Sequence, residues 1–474
     1  MGEARKRGSA EVRRRDAIKR NKALIVSQMG DKDERADTAI RAGIAPFLAR
    51  MSPEEWQSRR EAILEWLRHV TEGADLEHAK PIRVKADEIG WYLFLCEQAL
   101  EDPMCMDISQ VQRALPFFAG IGERWAFAPK VKGLEQKLDE VLHKYKSEPD
   151  GLIFEILVAL SYAAKGWDVE FIGQQTTKTP DIVVRKGEKE IYVECKRQVR
   201  RSSYAETECN EFLRLWDDAK HVLLANKQWV WCKVMFHAEV SNLPTDFLTQ
   251  ILQSALPLKS GEHLIHDCTD ATIHARLIDQ HAVMRHMAQY QVKSNSPALN
   301  ALLGGDWAPP NSSVSIIHLV KTSHVVDCDV PVLGTYIEEI SWACGITRDF
   351  DSEVSIDKKA RDVTKHLSDA IKQVPADKPS IIHLAAETLE GKDVERRRTK
   401  KVMATIPAFL IDKPVLGVRF HRFQSNQIVD KMYEFDETVE QFQPDGIRLD
   451  DIPLNVVVPN DVEMKHGSHW ELYQ

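Results

Sequence analysis

The spacing of apolar positions divides the chain into three stretches of different character. From residue 33 to about 147 the apolar residues recur at helical intervals. Ser52-Pro53-Glu54-Glu55 supplies a capping hydroxyl and a first-turn proline, and Trp56, Ile63, Leu64 and Leu67 follow on one face. Ala86 to Leu100 and Gly133 to Tyr145 repeat the amphipathic pattern. After Ser147-Glu148-Pro149-Asp150 the pattern changes. Leu152 to Lys165 is an almost wholly apolar helix closed by Gly166, the residue that best tolerates a left-handed cap. Trp167 to Ile172, Pro180 to Arg185 and Glu190 to Lys196 are short β-rich runs, the last two separated by Lys186-Gly187-Glu188-Lys189, a hairpin-sized loop. Tyr204 to Leu224 returns to helical period, and Trp229 to Val240 alternates as a strand that sets Val230, Cys232, Val234, Phe236 and Ala238 together. Beyond about residue 260 the signal becomes mixed. Ser313 to Val320 and Ser380 to Ala386 read as buried strands, and Lys358 to Gln373 and Asp393 to Met403 as helices. The expectation is a multidomain α + α/β protein: a basic arm and helical domain over 1–147, an α/β domain over 148–260, and a mixed α/β domain with an acidic C-terminal segment over 261–474.

Composition narrows the class. A chain of 474 residues is too long for one ordinary core. With 43% hydrophobic and 28% charged residues it matches ordered soluble proteins rather than disordered or membrane chains. Met1 to Asn21 has no apolar segment that would serve as a secretory signal, and Leu152 to Ala164 is shorter than the roughly 18 residues of a membrane span and contains Glu155. A cytoplasmic protein is expected. Its 8 cysteines form no CxxC pair, which points to reduced thiols. The net charge of −9 is unevenly spread: Arg5, Lys6, Arg7, Arg13, Arg14, Arg15, Lys19, Arg20 and Lys22 crowd the N-terminus, while the charged residues of 430–463 are mostly acidic. A nucleic-acid partner would have to be met by a local basic surface, for which the N-terminal arm is one candidate and a solubilising tail the equal alternative.

The chemistry concentrates in PDIVVRKGEKEIYVECK, residues 180–196. Side chains alternate along a strand, so Tyr192, Glu194 and Lys196 share one face while Ile191, Val193 and Cys195 share the other. A hairpin brings Asp181 beside Glu194, giving two hard oxygen ligands suited to Mg2+, with Mn2+ as a substitute; water and phosphate would fill the remaining positions. Such an ion would hold a phosphate and acidify a bound water, with Lys196 orienting that water or neutralising charge on the phosphate. Glu155 interrupts an apolar helix that must pack on this sheet. It needs a partner such as Lys196, a metal or its water, unless it merely reaches solvent at the helix edge.

A helix, three strands, a helix and a strand, with PD and ExK on the second and third strands, resembles the PD-(D/E)xK (restriction-endonuclease-like) nuclease superfamily over about residues 148 to 242. The resemblance implies a Mg2+-dependent endonuclease hydrolysing DNA, in defence against foreign DNA, including antiviral defence, or in DNA processing. It makes Asp181 and Glu194 metal ligands together with the Cys195 backbone carbonyl, Lys196 the catalytic lysine and Glu155 the first-helix acid that adds to the metal site. Cutting both strands with one site per chain implies a homodimer, and an activating protein partner is allowed for. Two alternatives stay open: a non-catalytic module of the same fold that binds nucleic acid or protein, and an RNA nuclease.

Weaker signals compete. Lys178, Lys186, Lys189, Arg197, Arg200 and Arg201 are candidate phosphate contacts or simply a solvated hairpin, Gln175 to Thr179 a candidate loop over the cleft, and Arg396 to Lys401 a second basic cluster or an exposed helix face. His263, His266 and Cys268 lie close in sequence but lack a second ligand pair, so a polar segment is expected rather than zinc. Pro444-Asp445 with Glu463-Met464-Lys465 repeats the motif loosely, but Pro459 interrupts any strand that would carry it. Asp357-Lys358-Lys359 and the second IIHL string raise the prospect of a degenerate copy of the first α/β unit.

Overall fold

The computed structural model describes residues 34–72, 84–173, 179–198, 201–294, 296–304, 313–325, 328, 333–409, 413–428, 431–444, 446–459, 461–462 and 466–472. The basic arm, Lys178, Arg200, Asp445 and Glu463 to Lys465 lie outside the described residues.

Apolar residues at helical spacing form α1 (Glu34–Leu48), α2 (Pro53–Glu72), α3 (Glu88–Glu101), α4 (Ile108–Val111), α5 (Leu115–Arg124) and α6 (Leu134–Asp139), the last running into a π-helical turn over Glu140–Lys144. The expected cap is present, the Ser52 hydroxyl accepting from the Glu55 amide at 3.1 Å. These helices do not close a core of their own. Phe47, Trp91, Phe94, Phe118 and Leu142 belong to one continuous apolar cluster that also takes in α7 (Asp150–Ala164) and the first strands. Helix α7 is buried on nearly every side because helices lie over it and a sheet under it.

That sheet has seven strands in the order β1-β2-β3-β4-β11-β12-β13. They are β1 (Val131–Lys132), β2 (Asp168–Phe171), β3 (Ile182–Lys186), β4 (Lys189–Gln198), β11 (Ser380–Glu387), β12 (Val415–Ile428) and β13 (Lys431–Phe442). Strands β2, β3 and β4 are antiparallel neighbours joined where the sequence placed them, with Gly187 at φ 60° in the β3–β4 turn. Strand β4 then pairs in parallel with β11, not with the strand that follows it in sequence. Parallel neighbours need a crossover connection. Here the chain leaves β4 for α8 (Ser203–Asn226), β5 (Val230–Phe236), α9 (Phe247–Ala255), β6 (Glu262–Asp267), β7 (Ala271–Leu277), α10 (Gln280–Gln289), β8 (Val292–Lys293), α11 (Pro297–Gly304), β9 (Ser313–His324) and β10 (Thr335–Phe350) before returning. These strands make a second sheet, β6-β7-β5-β10-β8 with β9 on the far edge of β10, around its own core of Trp231, Phe236, Ile273 and Cys344.

One expectation is corrected. Val230–Phe236 alternates as foreseen, but it runs parallel to β10 in the second sheet, so the segment 148–260 is divided between two sheets. A period of two shows that a strand buries one face and is silent about which sheet receives it. Asp357-Lys358-Lys359 lies in helix α12 (Glu353–Lys359), and the two IIHL strings occupy different sheets, so neither marks a second copy.

After α12 the chain forms α13 (Asp362–Gln373), which packs on β4 and β11, then β11, α14 (Lys392–Phe409) and β12. Strand β11 is buried along both faces: Ile381 and Ala385 join the α7 cluster, while Ile382, Leu384 and Ala386 join Val363, Leu367 and Ile371 of α13. Helices on both sides of parallel strands are the usual cover for such a sheet. A fully buried polar relay fixes the α7 side. Tyr162 Oη contacts His383 Nε2 at 3.1 Å, His383 Nδ1 contacts His421 Nε2 at 2.9 Å, and His421 Nδ1 contacts Glu437 at 2.9 Å. Glu437 also accepts from the backbone amides of Val456, Val457 and Val458. Tyr162→Phe strands one buried imidazole nitrogen. The expected loss is about 1–3 kcal/mol in urea unfolding, and an unchanged midpoint would show that the relay does not hold α7 to the sheet.

Candidate active site

The antiparallel register Ile182↔Val193 and Val183↔Tyr192, carried one residue further, sets Asp181 opposite Glu194. Residues opposite one another point to the same face with Cβ atoms about 4.5–5.5 Å apart. On the other side of β4, Glu194 and Lys196 are registered with Ile382 and Leu384, which face α13, so both motif side chains of β4 point under that helix. The shared face is thus covered rather than open, and Glu194 is fully buried.

Each acid has a local partner. Lys196 Nζ lies 2.5 Å from Glu194 Oε1, and the Gln373 amide at the end of α13 donates to the same oxygen. Glu194 Oε2 is buried without a hydrogen-bond partner among the described residues. Asp181 Oδ2 accepts from the Cys195 amide at 2.7 Å. A strand residue turns its N–H and C=O toward the same edge, so the Cys195 carbonyl also faces Asp181. Glu155 reaches in from α7, 13% exposed, and its direct partner is Lys137 of α6 at 2.9 Å. Of the partners weighed for Glu155, Lys196 acts on it only electrostatically.

The cluster is under electrostatic strain. Burial, then the neighbouring Asp181, pushes Glu155 up to about 7. Burial, then Glu194, pushes Asp181 up to about 7. Burial dominates at Glu194, also pushed up to about 7, with Glu155 adding and Lys196 opposing. Burial pulls the Lys196 ammonium down, but Glu194 and Asp181 together outweigh it, so the lysine is held charged.

These features decide whether a cation fits. Among the described residues no three His, Cys, Asp or Glu side chains stand close enough together to hold a metal ion. Two carboxylates and a backbone carbonyl nonetheless make the oxygen-only donor set that Mg2+ takes when water and phosphate complete its shell. A buried carboxylate oxygen without a donor, among three acids that prefer to keep protons near neutrality, is a place where a divalent cation would relieve an existing cost.

The candidate phosphate contacts fare differently. Lys186 and Lys189 pair with Asp451 at 3.2 and 3.4 Å, and Arg201 pairs with Glu390 at 3.0 Å. Arg197 is buried, stacked on Phe117 at 4.0 Å and within 3.5 Å of both Asp150 and Glu387, so it is a structural cation. In the cluster 396–401, Arg396, Arg397, Arg398 and Lys401 are each matched to acids. His266 contacts Cys268 at 3.0 Å on an exposed strand end and His263 turns to the Lys259 carbonyl. Beyond the C-terminal end of β4 an open cleft of about 890 Å³ is bordered by Arg197, Gln198, Arg201, Ser202, Lys365 and His366. Lys137, Gln373 and His366 escaped the sequence reading because each is remote in sequence from the acid or lysine it faces. Compared with protein-family models, with curated proteins and with solved structures, the chain matches none.

The raised carboxyl groups have a signed consequence. A folded-state pKa near 7 against an unfolded value near 4 means that the stability these groups contribute is complete in acid and is lost as pH rises through about 7. Asp181→Asn keeps the acceptor for Cys195 and removes one charge. In chelator it is expected to be more stable than the native chain at pH 8 by an amount on the order of 2 kcal/mol, with less than about half that difference at pH 5, because the loss begins at the unfolded value near 4. Equal shifts at both pH values would show that the three acids do not titrate as a buried group.

Proposed function

We propose that the chain is a divalent-metal-dependent phosphodiesterase of the PD-(D/E)xK type that cleaves DNA internally, with Asp181, Glu194 and Lys196 as its reactive centre. The observation that carries this reading is the register that sets Asp181 against Glu194, with Lys196 two residues on along the same face of the same strand. The topology supports it too. The helix α7, strands β2 to β4, the covering helix α13 and the parallel strand β11 give the helix-βββ-helix-β order of that superfamily, with the second sheet inserted between β4 and α13.

Asp181, Glu194 and the Cys195 carbonyl would hold the ion, Mg2+ or Mn2+. When bound, it supplies a water made acidic enough to attack at neutral pH and a positive charge beside the phosphate. The protein's own groups do the rest. Lys196 keeps its proton because two acids surround it, and so presents fixed positive charge where negative charge builds on the phosphate oxygens. Gln373 fixes the rotation of the Glu194 carboxylate, leaving the second oxygen without a protein donor. Glu155, neutralised by Lys137 and balanced near pH 7, can hold or release a proton at the edge of the site. The cover of α7 on one face and α13 on the other limits water around these groups, which strengthens every charge interaction between them.

One observation favours a second reading, a non-catalytic module on the same fold. Lys137, Lys196 and Gln373 already bind carboxylate oxygens that a metal-loaded centre would share.

The purified chain is to be incubated with plasmid, linear DNA and RNA in Mg2+, Mn2+ or chelator. The expected outcome is chelator-sensitive nicking or linearisation of plasmid, reduced roughly 10²–10³-fold in Lys196→Ala and abolished in Asp181→Ala. Cleavage that persists in chelator or in both variants would overturn the assignment. Binding without cleavage identifies the module, and cleavage of RNA alone moves the substrate class.

A further inference from the structure

Two thiols far apart in sequence meet where the helical layer touches the second sheet. Cys105 closes the turn Pro103–Cys105 after α3 and is almost fully buried, while Cys328, partly exposed, lies in the connection from β9 to β10. Both are free thiols, and they are hydrogen-bonded to one another. The backbone at Gly334 is close to both: a Cβ there would stand 3.0 Å from Cys328 Sγ and 3.2 Å from Cys105 Sγ, crowding the pair. The two bodies are already joined at this point. The Met104 carbonyl accepts from Lys293 Nζ at 2.8 Å and from Tyr336 Oη at 3.2 Å, bringing β8 and β10 against the cysteine turn. By contrast Cys232 and Cys344, also neighbours, are enclosed in the core of the second sheet, out of reach of a reagent.

We propose that Cys105 and Cys328 are a redox-active dithiol that reacts with low-molecular-weight disulfides of the glutathione class, forming an internal disulfide that staples the helical layer to the second sheet. This goes beyond the phosphodiesterase reading and does not depend on it. The Cys328 thiolate, the more accessible of the two, attacks one sulfur of oxidised glutathione and displaces one glutathione thiolate, leaving a mixed disulfide. Cys105 then loses its proton, its sulfur attacks Cys328 Sγ, and the second glutathione leaves as a thiolate. Two protein thiols are oxidised and one small disulfide is reduced to two thiols. Lys293 lies within electrostatic reach of both sulfurs, its ammonium pulled down by burial to about 8; the Cys328 contact and burial push the Cys105 thiol up, so its proton leaves to solvent only as the sulfur bonds to Cys328 Sγ. The bond would close a very long loop, for which the chain-entropy gain is greatest.

The full-length protein is to be equilibrated with reduced or oxidised glutathione, alkylated, digested without reduction and mapped by mass spectrometry. The expected product in oxidised glutathione is a linked peptide pair containing Cys105 and Cys328, at least about tenfold more abundant than in reduced glutathione, with the remaining six cysteines alkylated or unreacted. In Cys105→Ser, glutathione should remain attached at Cys328, because nothing displaces it. In Cys328→Ser, Cys105 should stay unmodified. Oxidation that leaves both thiols free, or a glutathione that persists on Cys328 of the native chain while Cys105 is still alkylated, would overturn the proposal. The native chain alone decides it if either variant fails to fold.

Discussion

Burying three acids in one small space is the constraint around which the rest of this molecule is arranged. Glu155, Asp181 and Glu194 arrive from a helix, a strand start and a strand centre, and together they would carry three negative charges under two helices. Lys196 on the same strand as Glu194, Lys137 of α6 and Gln373 of α13 answer them, and among the described residues one oxygen of Glu194 is still left without a donor. Their burial carries a desolvation cost of several kcal/mol per ion that an apolar interior would not impose. That such a cluster stands in an otherwise well-packed interior is the physical reason to look for chemistry there rather than architecture.

The sheet explains how the cluster is held rigidly. Its central strands are parallel and covered on both faces, so β4 cannot shift without disturbing α7, α13 and β11 together. The inserted second sheet enters at the end of β4 and leaves before α13, which lets it grow without touching the register that aligns Asp181 with Glu194. Its return is anchored by buried charge: Lys359 of α12 pairs with Glu208 of α8, and Arg398 of α14 bridges Glu395 and Asp362. Removing one partner from such a pair costs about 3–5 kcal/mol because the other charge stays buried.

How far the sequence foretold this depends on the range of each interaction. The β3–β4 hairpin was legible because its turn, its two strands and its alternation are local, and Asp181, Glu194 and Lys196 follow from it. The wholly apolar stretch from Leu152 to Lys165 likewise announced a helix buried on many sides. The helical layer was read as a domain of its own, although Phe47 and Trp91 share a core with Ile182 and Val193, because helical period reports a buried face and not the element that buries it. The fourth strand was misassigned for the same reason. Val230 to Phe236 and Ser380 to Glu387 both look like strands, and only the three-dimensional path of the insertion distinguishes the one that meets β4. Lys137 and Gln373 left no trace in the sequence, since a lysine at a helix surface and a glutamine at a helix end are ordinary in either setting.

The distribution of paired cations bears on how a polyanion could approach a chain of net charge −9. Ion pairs between exposed side chains contribute only about 0–1 kcal/mol and are screened by salt. Lys186 and Lys189 hold Asp451 in this way, with the lysines and the aspartate all substantially exposed, so exchanging that carboxylate for a phosphate would cost little. Arg197 and Arg398 are in the opposite position, enclosed with their acids, and cannot be released without leaving a buried charge behind. Of these described cations, Lys186 and Lys189 rather than Arg197 and Arg398 are the ones a phosphate backbone could take over. Under the proposed reading, attraction at this surface would work by displacing those weak internal partners and would weaken steeply as ionic strength rises.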